Sequence, residues 1–182
     1  MSLKIENNLI IGAEVELSSN SSERCDDIEL IVIHCISLPE GEYNNSFPKD
    51  LFLNKLDLSI HPSFESLKNL KVSSHLLINR DGSFQQFVPF NKCAWHAGQS
   101  SFDGREDCNK FSIGIELEGT VKESFTEQQY DILNDVIYLL KREYPIKNIA
   151  GHSEIAAGRK NDPGPYFNWK RLDVWKTKKN TI

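Results

Sequence analysis

The sequence predicts an α/β fold: a single domain over residues 1–182, built on a mixed β-sheet flanked by helices. Three observations carry that expectation. Glu29 to Ile36 is a continuous β-branched run, the pattern of a strand buried on both faces and central in a sheet with helices on both sides. Thr126 to Glu143 opens on a capping box and continues as an apolar stripe at helical spacing. Between them, two strand-like runs flank Arg80-Asp81-Gly82, and Asp-Gly at such a junction signals a hairpin.

The remaining elements follow in chain order. Leu9-Ile10-Ile11 is a short apolar run, and the Ser/Asn-rich stretch from Ser18 to Ser22 reads as an exposed loop. Pro39 and Gly41 end the first long strand. Pro48 to Leu56 predicts a short helix with Pro48 in its first turn, and a second begins near Pro62, carrying Phe64, Leu67 and Leu70. The hairpin pairs Val72–Asn79 with Ser83–Pro89. Ala94 to Gly98 then opens a polar loop that runs through Gly104 to Asn109. Phe111 to Gly119 alternates as another strand, with Glu116 and Glu118 on one face. The helical stripe is Tyr130, Leu133, Ile137 and Leu140, with Val136 beside it, and Pro145 stops it. Ile146 to Ala150 is a short strand delivering His152 to a loop that ends at Pro165. Phe167 to Trp175 is expected to form the last helix, with a frayed Lys-rich end.

Composition limits the function classes. A chain of 182 residues buries roughly 70% of its unfolded surface and needs no disulfide staples. A net charge of -5 without any Lys/Arg run argues against a nucleic-acid partner. The N-terminus lacks a basic region followed by an apolar one, and no apolar stretch is long enough to span a bilayer, so a cytoplasmic protein without a membrane partner is expected. The four cysteines, Cys25, Cys35, Cys93 and Cys108, show no CxxC spacing and read as free thiols. A monomer is expected.

The loop from Gly151 to Pro165 concentrates the chemistry. Its three glycines and two prolines exclude a regular helix interior or a central strand and leave a shaped surface loop. It holds His152 and Asp162, both zinc-ligand types, with Lys160 two residues before the aspartate. A third ligand must come from elsewhere, and His34 at the end of Leu30-Ile31-Val32-Ile33 is the candidate. Two imidazoles and a carboxylate suit Zn²⁺ and leave a fourth position for water. Amide hydrolysis also needs a base and an oxyanion partner. Glu116, on a strand able to lie beside that of His34, is the candidate base, and Lys160 the candidate oxyanion partner. Each residue taken singly has an ordinary reading: His34 as a satisfied strand-end polar group, Asp162 as a turn residue before Pro163, Glu116 and Glu118 as solvent-facing strand residues. Spacing alone leaves the metal open.

The motifs go further. Ile33-His34 with Ile36-Ser37-Leu38-Pro39, Val72-Ser73-Ser74-His75, Asp81-Gly82 and Ala94-Trp95-His96-Ala97-Gly98 come first. Phe111 to Gly119, and Gly151-His152 through Arg159-Lys160-Asn161-Asp162-Pro163-Gly164-Pro165, follow in the same order. From about Leu30 to Trp169 the chain resembles the zinc-dependent type-2 N-acetylmuramoyl-L-alanine amidases, and among them the cytosolic branch. The resemblance implies a mixed sheet flanked by helices, as in peptidoglycan-recognition domains. It implies Zn²⁺ on His34, His152 and Asp162, with Glu116 and Lys160 as the catalytic pair. The substrate it implies is a small muropeptide, cut between the lactyl group of 1,6-anhydro-N-acetylmuramic acid and L-alanine during cell-wall recycling. The alternatives are an amidase on polymeric peptidoglycan and a muropeptide-recognition module that does not cut.

Around that set, Trp95 is either an apolar wall of the substrate groove or a partly buried core indole. His75 and His96 are expected to support the site or the fold rather than bind metal, and His61 to be a loop residue. Cytosolic relatives commonly carry Asn where Cys35 stands, so a soft thiol beside the metal would alter redox or heavy-metal sensitivity. They tend to carry Arg, associated with holding stem-peptide carboxylates, where Lys71 and Asp107 stand. Lys71 keeps the charge without the bidentate fork, Asp107 would repel a carboxylate, and Arg105 or Lys110 could compensate.

Overall fold

The structure, a computed structural model, describes residues 3–173. Its strands in chain order are β1 (Ile5–Glu6), β2 (Leu9–Ile10), β3 (Glu14–Val15), β4 (Ser21–Glu23), β5 (Leu30–Ile36) and β6 (Leu76–Ile78). There follow β7 (Phe84–Gln86), β8 (Lys92–Ala94), β9 (Ser101–Phe102), β10 (Arg105–Glu106), β11 (Ser112–Glu118) and β12 (Asn148–Gly151). The α-helices are α1 (Phe47–Phe52), α2 (Glu127–Glu143) and the single turn α3 (His152–Ile155).

Six strands form one mixed sheet in the order β12-β5-β11-β6-β7-β3. β5 lies between β12 and β11, parallel to both, as its unbroken apolar run requires. β6 is parallel to β11 and antiparallel to β7, which closes the predicted hairpin through Gly82 at φ +85°. The period-two alternation then sorts the side chains. Ile31, Ile33, Ile113, Ile115 and Leu117 face α2 and pack with Tyr130, Leu133, Val136, Ile137 and Leu140. Each such fully buried side chain contributes roughly 1.5–3 kcal/mol. Leu30, Val32 and Ala150 face the other way, against Ala97, Cys108, Phe111 and Ile155. His34 and Glu116 stand on this second face, paired in register across β5 and β11.

The α2 start is the capping box expected. Thr126 Oγ1 accepts from the Gln129 amide at 3.2 Å, and Gln129 Oε1 accepts from the Thr126 amide at 3.1 Å. The Gln129 amide group also donates to the carbonyls of Ile78 and Glu118, tying the helix to the ends of β6 and β11.

The structure corrects several of these expectations. Ser18 to Ser22 is no exposed loop: Asn20 is 1% exposed and donates to the carbonyls of Phe52 and Val72, while Ser21 to Glu23 pairs with β8. The segment from Ala94 to Asn109 is not one polar loop, since β8 ends in it and β9 and β10 make a hairpin about Asp103 and Gly104, both at positive φ. The expected flanking helices are present, although among the described residues only α2 is long; the opposite face carries short helices and irregular segments, which is where the site lies. The segment expected as the last helix shows a 3-10 turn at Trp169–Arg171, and the continuation to Trp175 and the Lys-rich end lie outside the described residues. The short helix near Pro62 is likewise a 3-10 helix, Pro62–Leu67, which stops short of Leu70.

Candidate metal centre

The three proposed ligands arrive from two strand ends and the loop that follows the second. His34 sits near the C-terminal end of β5 and is 1% exposed. Ile33, its neighbour, pairs with Gly151 of β12, and His152 follows directly as the first residue of α3. Gly151 has no room for a side chain, because a Cβ there would lie 2.9 Å from the Pro163 ring. That closeness brings the end of the loop back beside its start, and the Ser153 amide donates to the Asp162 carbonyl at 2.9 Å. The single helical turn at His152–Ile155 is the one regular piece in a segment expected to be loop throughout.

Three atoms converge as a result. His34 Nδ1 and His152 Nδ1 are 2.9 Å apart, and Asp162 Oδ2 is 3.2 Å from the first and 3.0 Å from the second. A tetrahedral ion with bonds of about 2.0–2.1 Å needs donors about 3.3 Å apart, close to this triangle. His152 Nε2 lies 3.1 Å from the Ala97 carbonyl, which can only accept, so the ring proton sits there and Nδ1 presents a lone pair. Burial, with His152 and Lys160 nearby, lowers His34 to about 4 in spite of Asp162, so its ring is neutral at pH 7. His34 Nδ1, His152 Nδ1 and Asp162 Oδ2 thus form a group that could hold a metal ion, and the residue types fit one.

Glu116 completes the electrostatics. Its Oε2 is buried without a hydrogen-bond partner. Burial raises its carboxyl well above the ordinary range, the Asp162 charge adds to this, and Lys160 opposes it. Lys160 is exposed, and its ammonium has no ion-pair partner among the described residues. A cavity of about 310 Å³, lined by Cys35, Ser37, Glu40, Thr120, Asn161 and Asp162, opens beside the aspartate.

The pattern of the N-acetylmuramoyl-L-alanine amidase family matches residues 24–165. The chain belongs to that family. The 1,6-anhydro-N-acetylmuramyl-L-alanine amidase AmpD of Escherichia coli (strain K12) is 46% identical over 181 residues, covering 97% of this chain and 99% of that one. The crystal structure of a selenomethionine AmpD derivative superposes with a TM-score of 0.91 at 44% identity, covering 93% of this chain and 97% of that one. The E. coli amidase AmiD, solved in complex with the substrate anhydro-N-acetylmuramic acid-L-Ala-D-γ-Glu-L-Lys, gives a TM-score of 0.60 at 27% identity, over 96% of this chain and 66% of that one.

The structure scatters the other residues singled out in this amidase. The Arg105 guanidinium bonds Glu29 at 2.9 Å and Asp26 at 3.1 Å and lies over the Phe111 ring. Glu29 is five residues before His34, roughly 16 Å along an extended strand, so Arg105 does not compensate for a missing arginine at the site. Lys110 is paired with Asp107 at 2.9 Å, each offsetting the other's charge. Lys71 is exposed and lines an apolar recess with Leu51, Leu56, Leu67 and Leu70. Trp95 is half-buried, with its indole N–H 3.4 Å from Ser22 Oγ. Cys35 points to the face opposite His34 and donates its thiol proton to the Pro163 carbonyl. Burial first, then the charges of Glu116, Asp162 and Glu40, push that thiol up, and its sulfur is not among the three converging atoms. Glu118 is no solvent-facing acid: at 3% exposure it accepts from the amides of Asn44 and Arg80. His75 is structural, accepting from the Gly114 amide and donating to the Lys92 carbonyl. His61 caps its 3-10 helix.

Two contributors escaped the sequence reading. Arg159 donates to the carbonyls of Ala97 at 2.6 Å and Gln99 at 2.7 Å, holding the carbonyl that orients His152. Asn109 Oδ1 accepts from the amides of His96 and Ala97. Both contacts join residues more than ten positions apart, and only the Ala94–Gly98 motif hinted at them.

Proposed function

We propose that this amidase is a zinc enzyme that hydrolyses the amide between the lactyl group of 1,6-anhydro-N-acetylmuramic acid and L-alanine of the stem peptide. His34, His152 and Asp162 hold the ion, and Glu116 and Lys160 act on the substrate. The observation that carries the reading is the convergence of two imidazole nitrogens and a carboxylate oxygen, beside a carboxylate whose Oε2 is buried without a partner. Its setting is a chain matched almost end to end by an enzyme named for that reaction.

When bound, zinc supplies Lewis acidity, polarising the scissile carbonyl and making water a better nucleophile at neutral pH. The chain's own residues do the rest. Glu116, raised toward neutrality by burial, takes a proton from the attacking water as its oxygen adds to the lactyl carbonyl carbon. Lys160 places its ammonium against the charge that grows on the carbonyl oxygen. Glu116 then returns the proton to the alanine nitrogen as the C–N bond breaks, leaving a muramyl carboxylate and a free peptide amine. The cavity at Cys35, Ser37 and Thr120 receives substrate next to Asp162.

Two nitrogens and one oxygen with a free fourth position support zinc over harder cations. Four unpaired cysteines suit a reducing compartment, and we place the enzyme in the cytoplasm. Mass spectrometry of anhydro-muramyl tripeptide incubated with the protein tests the reading. Release of anhydro-sugar and tripeptide, abolished by a chelator and restored by Zn²⁺, is expected. Cleavage of intact sacculi but not of the tripeptide would overturn the recycling role, and binding without cleavage would leave a recognition module.

A further inference from the structure

We propose that His96 is a positioning residue: it fixes the metal-facing tautomer of His34 through a hydrogen-bond chain anchored on the Cys108 carbonyl. The inference rests on the zinc reading for its purpose, although the chain itself is read from contacts among protein atoms alone.

The proton order is set from the far end. Ser112 Oγ lies 2.6 Å from the Cys108 carbonyl oxygen, which can only accept, so the hydroxyl proton points there. That leaves lone pairs on Ser112 Oγ for His96 Nε2 at 3.1 Å, and this nitrogen must therefore carry its ring's proton. Neutral His96 then has a bare Nδ1, placed 2.9 Å from His34 Nε2, so the His34 proton sits on Nε2. The consequence is a bare Nδ1 on His34, directed at His152 and Asp162. Ser112, His96 and His34 are all buried, which denies water the chance to substitute at any link.

The fold goes to some length to put an imidazole here. Gly114, in the middle of the buried strand β11, is where a side chain would ordinarily stand, and a Cβ on it would fall 2.4 Å from His96 Cγ. Glycine weakens a strand interior and marks the close approach of another group. Asn109 holds the His96 and Ala97 amides from the other side, so one short segment presents His96 to His34 and the Ala97 carbonyl to His152. A metal-binding histidine commonly donates to a carboxylate or a carbonyl. Here an acceptor that could itself donate takes that place, and Ser112 decides which it does. Without the Ser112 hydroxyl, His96 is free to move its proton to Nδ1, which would drive the His34 proton onto the nitrogen that must face the cation.

The test measures zinc affinity by competition with a chromophoric chelator, together with long-range ¹H–¹⁵N NMR of the histidine rings in zinc-loaded protein. The wild type is expected to show His96 as the Nε2–H tautomer and a protected Nε2–H on His34. His96→Leu should weaken zinc binding by roughly 10–100-fold, the usual scale for such outer partners. His96→Asn, whose side-chain oxygen falls near the place of Nδ1, should recover most of that loss. Ser112→Ala should weaken zinc and abolish the single His96 tautomer. His96→Leu within twofold of wild type, or His96 found as the Nδ1–H tautomer in the wild type, would overturn the proposal. If His96→Leu fails to fold, Ser112→Ala and the wild-type tautomer still decide it. A wild type that bound no zinc would overturn the metal reading instead, and the His96 tautomer would still judge the chain of hydrogen bonds.

Discussion

Glu116→Gln separates the catalytic role of this carboxylate from its structural cost. Gln keeps the shape and leaves the same buried position unpaired, so the change isolates charge and proton affinity. For turnover, loss of a general base costs about 10²–10⁴-fold, or roughly 2.7–5.4 kcal/mol of transition-state stabilisation. For stability the sign is opposite. The folded pKa of Glu116 stands above its unfolded 4.5, so between those two values the folded state binds the extra proton and stability falls as pH rises. Each pH unit separating the two is worth about 1.4 kcal/mol of destabilisation above the folded pKa. Metal-free Glu116→Gln should therefore unfold at higher urea than metal-free wild type at pH 8, and the two should unfold alike below pH 4.5, where Glu116 is protonated in both the folded and the unfolded wild type. Turnover is measured on the zinc-loaded proteins and stability on the metal-free ones, with bound zinc counted in each. Turnover within tenfold of wild type would remove Glu116 as the base. A Gln variant that lost zinc, or was less stable at pH 8, would refute the account of a destabilised carboxylate.

Four further outcomes are expected. His152→Ala should lose zinc and activity together, read by metal content after dialysis; a variant that kept one zinc per chain would exclude His152 as a ligand. Lys160→Ala should lower kcat by more than it raises KM, since its charge is used as the oxyanion grows, and a pure KM effect would make it a binding residue. Stability should fall with acid: burial, with Arg24 nearby, lowers His75 to about 3 from 6.5, so the unfolded state takes up the proton first. Urea midpoints should drop from pH 6.5 down toward 3, at up to about 1.4 kcal/mol per pH unit for that imidazole, and a flat profile would argue that it is charged when folded. Arg105→Ala should leave KM for anhydro-muramyl tripeptide unchanged, because its guanidinium is committed to Asp26 and Glu29 at the far end of β5. A large rise in KM would place it in the substrate groove after all.

Much of the frame was legible because burial writes itself into periodicity. The β-branched run of β5 and the stripe of α2 name their elements and their buried faces, and the Asp81-Gly82 junction names its hairpin. Asp103-Gly104 carries the same turn signal for β9 and β10, but strands of two residues are too short to show alternation beside it. Asn20 and Ser18 looked exposed because they are polar. They are buried because the carbonyl of Phe52, more than thirty positions away, needs donors. Glu118 was misread for the same reason, its partners lying in the segments around Asn44 and Arg80.

The sequence by itself determined which chemistry was available: two imidazoles, a carboxylate, a base and an ammonium, on elements whose order lets β12, β5 and β11 sit side by side. Tertiary structure alone decided how that chemistry is poised. Which nitrogen of His34 carries its proton depends on a carbonyl at Cys108 and a hydroxyl at Ser112; that of His152 depends on a carbonyl at Ala97. Glu116 gains its raised affinity for a proton only when burial removes the water around it. Side-chain type is written one residue at a time. Proton placement and desolvation are properties of contacts at about 3 Å between residues far apart in the chain, and no local pattern encodes them.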